Sequence, residues 1–256
     1  MKIDRPKVLQ AFAAYVENYN IADEKVRLKI EHTYRVSGLC EKIAASLGLN
    51  RTDVDMAWLL GMLHDIGRFE QLRNYGTFND SQSIDHAMYG AQILFEQEKI
   101  RDYIKEDAED EMLRTAVAYH SAYRLPEHLD SRTRMFCDIL RDADKIDILK
   151  VNIDFPLEEI YNVTTWELKN ATVTKEVMEA FREGHAVLRS LKKTPVDNTV
   201  GHISLVYELV YPISLTIVKE QGYMDKLMDF SSDNLKTKKQ FEEIREIMGK
   251  YMDSSK

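Results

Sequence analysis

Residues 51–67 read RTDVDMAWLLGMLHDIG. Val54, Ala57, Leu60 and Gly61 recur at helical spacing and run on to His64, with Thr52 as the cap and Gly67 as the stop. The spacing predicts a helix and places an imidazole on its apolar stripe. A buried imidazole or carboxylate costs free energy unless something satisfies it. The same anomaly recurs on other helices. His32 shares a face with Val36, Leu39 and Ile43; His120 shares one with Leu113, Ala116 and Val117; Asp144 stands one turn after Leu140, in phase with Cys137. Any one of these alone reads more simply as a core residue bonded to a neighbour. Taken together, inward His and Asp side chains from separate helices are what a metal site in a bundle core requires.

The adjacent pair His64-Asp65 is the sharpest element. Successive helical residues point about 100° apart, so both reach one ion only if the carboxylate turns back at a helix end. A carboxylate also has two oxygens, which lets Asp65 bridge two ions while His64 binds one.

Outward from this stretch the chain stays helical. Its 10 Gly and 5 Pro in 256 residues leave little turn chemistry for a multi-stranded sheet, and 44% hydrophobic content can fill a large core. The expected class is all-α. Helices are expected over 5–19, from a cap at Asp23 to Leu47, from Thr52 to Gly67, over 86–98, 112–121 and 131–149, and then over 157–170, 174–191, 199–221 and 237–251. Pro212 is expected to kink or break the third of those last four. The polar run 68–82, with Asn74, Gly76, Asn79 and Asp80, reads as a loop beside the site. Residues 1–150 are expected to form the metal-binding helical domain, and 151–256 a helical extension packed on it.

The formal net charge of -8 argues against broad capture of duplex nucleic acid, although a small anion could bind locally. Cys40 and Cys137 form no CxxC pair, so neither a disulfide framework nor a zinc ribbon is expected. With no signal-like apolar core at the N-terminus and no membrane-length apolar run, a cytoplasmic location without membrane contact is expected. The oligomeric state is not legible.

His32, then His64-Asp65-Ile66-Gly67, then Asp144 within Arg-Asp-Ala-Asp-Lys-Ile-Asp resembles the HD superfamily of metal-dependent phosphohydrolases, over about residues 24–150. Residues 151–256 look like the helical tail of bacterial members. The resemblance implies six ligands: His32, His64, Asp65 and Asp144 around one ion, and His86 and His120 around a second, with Asp65 shared. It selects Asp144 over Asp142 as the carboxylate before a basic residue. Four imidazoles with carboxylates disfavour calcium and magnesium and suit iron, manganese, zinc, nickel or cobalt. Two such ions about 3.5–4 Å apart can share a hydroxide and stabilise the attacking and leaving oxygens of a phosphate ester. Asp65 and Arg68 are therefore the candidate catalytic residues. Arg68 and, more weakly, Lys145 are the candidate phosphate contacts.

His128 and His185 are given no role, one on a connection and the other on a solvated helix face. His202 reads as part of a core helix, with packing over the active site as the alternative. Cyclic-dinucleotide phosphodiesterases of the HD-GYP type resemble the chain in ligand order, but they carry paired histidines and a Gly-Tyr-Pro. Here Ser121 follows His120 and no Gly-Tyr-Pro occurs, which disfavours that substrate. The expected substrate is a nucleotide or another small phosphate ester. The competing readings are a diiron oxygenase of the HD type, which shares the ligand order, and a nucleotide-binding regulator with a vestigial site.

Overall fold

The computed structural model describes residues 2–254, and among these there are helices and connections but no strand. The chain divides into two compact units, residues 1–144 and 145–256.

The first unit begins with α1 (Arg5–Val16), capped by Asp4 with Pro6 in its first turn, followed by α2 (Glu24–Ser46), capped by Asp23. Next come α3 (Arg51–Leu63), α4 (Ile66–Tyr75), α5 (His86–Ala91), α6 (Ile100–Tyr103) and α7 (Asp110–Tyr119), then α8 (Ser131–Asp154), whose residues up to Asp144 belong to this unit and the rest to the second. A π-helical turn, Gln92–Glu96, continues α5. The core is built from fully buried Phe12, Val36, Ile43, Leu59, Leu60, Leu63, Phe69, Phe136 and Leu140. Phe12 and Phe69 meet edge to face with ring centres 6.0 Å apart, which locks α1 onto α4.

Two glycines set how closely these helices approach. A Cβ on Gly61 would lie 2.4 Å from the Ser37 Cα, so α3 packs against the α2 backbone only because that side chain is missing. A Cβ on Gly67 would lie 2.2 Å from the His86 carbonyl oxygen and 2.7 Å from the Gly90 nitrogen, so α4 and α5 touch backbone to backbone there.

Three sequence expectations change in this unit. Asn50, rather than Thr52, caps α3, its side chain accepting from the Asp53 N–H at 3.0 Å. The helix stops at Leu63 and a new one starts at Ile66, so Gly67 lies inside α4 and serves close packing. The loop expected over 68–82 is half helix: buried Phe69 gives α4 an apolar anchor, and Gly76, at φ 67°, ends it.

In the second unit, α9 (Leu157–Tyr161), α10 (Thr165–Asn170), α11 (Lys175–Arg182), α12 (Pro195–Ile203), α13 (Pro212–Gln221), α14 (Tyr223–Met228) and α15 (Leu235–Ser254) surround Val177, Phe181, Val200, Ile203, Phe241, Ile244 and Met248. The long helices expected here are interrupted. Asn162 adopts φ 54° after α9, and Thr164 and Glu167 form a capping box that starts α10. Gly184, at φ 75°, follows the end of α11. The helix expected over 199–221 is broken, as one of the two outcomes expected of Pro212, which opens α13 in its first turn.

Candidate metal centre

His32 on α2, His64 at the end of α3, Asp65 in the break before α4, His86 at the start of α5, His120 at the end of α7 and Asp144 on α8 are all buried, at 8% exposure or less. The structure brings these six side chains together. His64 keeps helical torsions and donates its backbone N–H to the Leu60 carbonyl at 3.0 Å, whereas Asp65 leaves the helix at φ -102°, ψ 16°. That break is what lets two consecutive residues face one point. Asp65 occupies the N-cap position of α4, yet its carboxylate makes no capping bond.

The two oxygens of Asp65 instead face two groups of imidazoles. Oδ2 lies 3.5 Å from His32 Nε2 and 3.6 Å from His64 Nε2; Oδ1 lies 3.5 Å from His86 Nε2 and 3.7 Å from His120 Nε2. Asp144 Oδ1 closes the first group, 3.2 Å from His32 Nε2 and 3.8 Å from His64 Nε2. His64 Nε2 and His32 Nε2 are 3.2 Å apart, and His86 Nε2 and His120 Nε2 are 3.1 Å apart.

Which ring nitrogens carry protons follows from their other partners. His64 Nδ1 is 2.8 Å from the Gly61 carbonyl, and His120 Nδ1 is 2.8 Å from the Val117 carbonyl. A carbonyl only accepts, so both Nδ1 atoms carry the hydrogen and both Nε2 atoms present lone pairs. His86 Nδ1 stands 3.0 Å from both oxygens of Asp80 and donates to that carboxylate. The Nε2 atoms of His86 and His120 therefore face each other as two acceptors, with the carboxylate oxygen Oδ1 of Asp65 close to both. Three electron-pair donors meeting at such distances repel unless a cation lies among them. The donor set fits a divalent transition metal, with nitrogen and oxygen ligands and with Nδ1–H bonds that orient the rings. Among the described residues, His32, His64 and Asp144 form one potential ligand group, and His64, Asp65 and His120 form another.

Electrostatics keep the ligands in their binding forms. Burial pushes the Asp65 carboxyl up, but Lys29 and the surrounding imidazoles outweigh it and hold it well below the usual range. Burial likewise opposes ionisation of Asp144, and the neighbouring His32 and His64 rings overcome it. Burial pulls His64 down to about 4 and His86 down to about 3, so both rings are neutral near pH 7.

Three residues that the sequence reading passed over support the cluster. Lys29, one turn before His32, donates Nζ to Asp65 Oδ2 at 2.7 Å; its (i, i+3) spacing from His32 was the available signal. Asp80, read as a turn former, is the carboxylate that orients His86. Gln71 donates to Asp80 Oδ1 at 2.9 Å and to the Ile84 carbonyl at 3.0 Å, tying the loop to α4.

Arg68 lies beside the cluster, with Nε 3.8 Å from Asp65 Oδ1. Its Nη1 is engaged by Gln71 Oε1 at 2.6 Å, the Phe78 carbonyl at 2.7 Å and Asp80 Oδ1 at 2.7 Å. Lys145, the residue after Asp144, is buried and opens the second unit. Asp142 is fully buried, and Asp144 is the carboxylate of that pair in the potential ligand groups. His128 is exposed on a turn, and His185 is exposed just beyond α11 rather than on a helix face. His202, on α12, hydrogen bonds through Nδ1 to the Tyr161 hydroxyl at 3.0 Å. Cys40 and Cys137 are both buried free thiols.

The family model of the HD domain matches residues 30–151. A 3'3'-cGAMP-specific phosphodiesterase 1 from Vibrio cholerae serotype O1 is 29% identical over 94 residues, which are 33% of this chain and 22% of that protein. The chain thus spans about a fifth of the length of the curated relative it matches. No solved structure matches. The matched region begins two residues before His32 and ends seven after Asp144, so the stretch of this chain that matches the HD domain encloses the whole cluster.

Proposed function

We propose that the chain is a metal-dependent phosphohydrolase acting on a nucleotide or another small phosphate ester, with two metal ions held by His32, His64, Asp65, His86, His120 and Asp144. The observation that carries this reading is the facing pair of lone-pair nitrogens on His86 and His120, 3.1 Å apart beside Asp65. That pair supports a second ion in addition to the one taken by His32, His64 and Asp144.

When bound, two divalent ions supply a lowered pKa for a coordinated water and charge stabilisation for phosphoryl oxygens. The chain's own residues hold and orient the centre. Asp65 offers one oxygen to each side, and Lys29 shares Oδ2, which has lone pairs for both an ammonium and an ion. Asp80 fixes the His86 ring, while the Gly61 and Val117 carbonyls fix His64 and His120. Arg68 and Lys145 are assigned to the phosphate, Arg68 through the part of its guanidinium that Asp80, Gln71 and Phe78 leave uncommitted.

The name of the Vibrio relative adds a cyclic dinucleotide to the substrates worth testing, alongside nucleoside mono-, di- and triphosphates. The missing Gly-Tyr-Pro and paired histidine weigh against it. The test is a screen of these phosphate esters under anaerobic conditions, with the chelator-treated chain reloaded by manganese, iron, cobalt, nickel or zinc. Metal-dependent release of phosphate or of a nucleotide without oxygen is expected. Turnover that requires oxygen and two irons would favour the oxygenase reading. Nucleotide binding with no turnover under any metal would favour a regulator.

A further inference from the structure

His120, a ligand of the second ion in the two-ion reading, sits where α7 ends. A helix end leaves its last four carbonyls without partners from its own backbone. The His120 ring is fixed to that turn, because Nδ1 donates to the Val117 carbonyl at 2.8 Å, three residues back. The direction of the Nε2 lone pair therefore follows the end of α7. Beyond it the chain runs through turns to Ser131, where α8 begins.

A side chain of α8 holds this turn. Arg141 is buried, at 6% exposure. Its Nη1 donates to the carbonyls of Tyr119 at 3.0 Å, His120 at 3.3 Å and Ala122 at 2.5 Å. Nη1 has two hydrogens, so the three acceptors share them, as is common at helix ends. A buried guanidinium is costly unless it is hydrogen bonded, and the negative end of a helix dipole offers it both acceptors and a favourable field.

Arg141 precedes Asp144 by three residues, so the two share a face of α8. The helix thus presents one carboxylate to the first group of imidazoles and, through Arg141, holds His120 in the second. His120 Nε2 stands 3.1 Å from His86 Nε2 and 3.7 Å from Asp65 Oδ1, and ligands of one ion must be held to within about 0.5 Å. A frayed last turn of α7 would not meet that tolerance.

We propose that Arg141 is a positioning residue for the second ion: it touches neither ion nor substrate, and it acts by clamping the last turn of α7, and with it His120, to α8. The inference rests on the two-ion reading and names a residue outside the ligand set on which the second ion depends.

The test is a manganese titration of the full, chelator-treated chain in wild type, Arg141→Met and Arg141→Lys, with free and bound metal followed by electron paramagnetic resonance. Wild type should take two equivalents, the second bringing the spectrum of a spin-coupled pair. Arg141→Met should bind the first equivalent within a few-fold of wild type and the second about 10–100-fold more weakly, the loss expected when a group that orients a ligand is removed. The coupled spectrum should be lost at two equivalents. Arg141→Lys keeps the charge but not the planar fork, and its affinity for the second equivalent should fall between the other two. It also answers the question if circular dichroism shows that Arg141→Met does not fold. A residue that only stabilises the fold would weaken both equivalents together, and that result would overturn the proposal. An unchanged second equivalent in both variants would overturn it too, while leaving the two-ion reading intact. A wild type that takes one equivalent, with no coupled spectrum, would remove the two-ion reading and this inference with it.

Discussion

Asp65 has two oxygens and faces two pairs of imidazoles, and this division makes it the residue on which the centre most depends. Removing a partner outside the ligand shell costs about 10–100-fold in metal affinity or activity. Asp65→Ala, which takes a ligand from both sides, is expected to cost more than that in turnover and to leave the chain short of metal by elemental analysis. Full activity with full metal content would exclude Asp65 from the site. His86→Ala or His120→Ala should lower bound metal from two ions towards one, with His32, His64, Asp65 and Asp144 retaining the other. Asp80→Ala leaves the His86 Nδ1–H without its acceptor and should weaken the ion on that side by about 10–100-fold. Asp80→Asn, which keeps an accepting oxygen, should do less harm. Equal metal affinity in wild type and both variants would deny Asp80 its positioning role. The lowered histidines also set a pH range. Protons compete with an ion for a ring lone pair only as pH falls through the folded-state value, which is about 4 for His64 and about 3 for His86. Protonation of the His64 and His86 rings in the metal-free chain, followed by NMR, should therefore begin only well below neutrality. Titration of either ring near 6.5, the value of an ordinary histidine, would contradict the assigned burial.

At the level of elements, the centre depends on two backbone contacts. Gly67→Ala sets a methyl against the His86 carbonyl, with backbone on both sides and no flexible tip to yield. It should destabilise by about 1–3 kcal/mol or more, as overpacking does, and should disturb His86 before the rest of the cluster. Gly61→Ala should separate α2 from α3 and so His32 from His64. Chemical denaturation together with metal content of both variants checks this; wild-type stability in either would refute the packing. These contacts also mark where the sequence was legible. The apolar stripes of α2, α3 and α7 were readable because His32, His64 and His120 each stand in register with a run of core residues at helical spacing. The break at Asp65 was not readable, because MLHDIG carries no residue that forbids helix, and tertiary demand at the centre ends the helix there. Gly67 was visible but looked like a stop signal, since close backbone approach leaves the same letter in the sequence as a left-handed cap. Asp80 could not be singled out because its partner, His86, is brought to it by the fold of the loop. In the second unit the expected helices were too long: Asn162, a polar residue that tolerates positive φ, and the Thr164 capping box divide what periodicity had joined.

For the molecule as a whole, the division at 144/145 puts all six candidate ligands in the first unit. A ligand that binds only the folded form stabilises it by about 2.7 kcal/mol at a hundred times its Kd. In a calorimetric scan, metal loading should raise the unfolding temperature of the chain. An unchanged scan at saturating metal would contradict a metal centre in the folded chain. Among the described residues no helix is long and apolar enough to cross a membrane. The central claim is that this His and Asp cluster holds two metal ions and hydrolyses phosphate esters. It is tested most directly by adding metal stepwise to the chelator-treated chain under anaerobic conditions while following hydrolysis of a panel of phosphomonoesters, phosphodiesters and nucleotides. Turnover should be absent without metal, rise as equivalents are added and level off at the second. No hydrolysis at any loading, or a plateau at one equivalent that His86→Ala and His120→Ala leave unchanged, would contradict it.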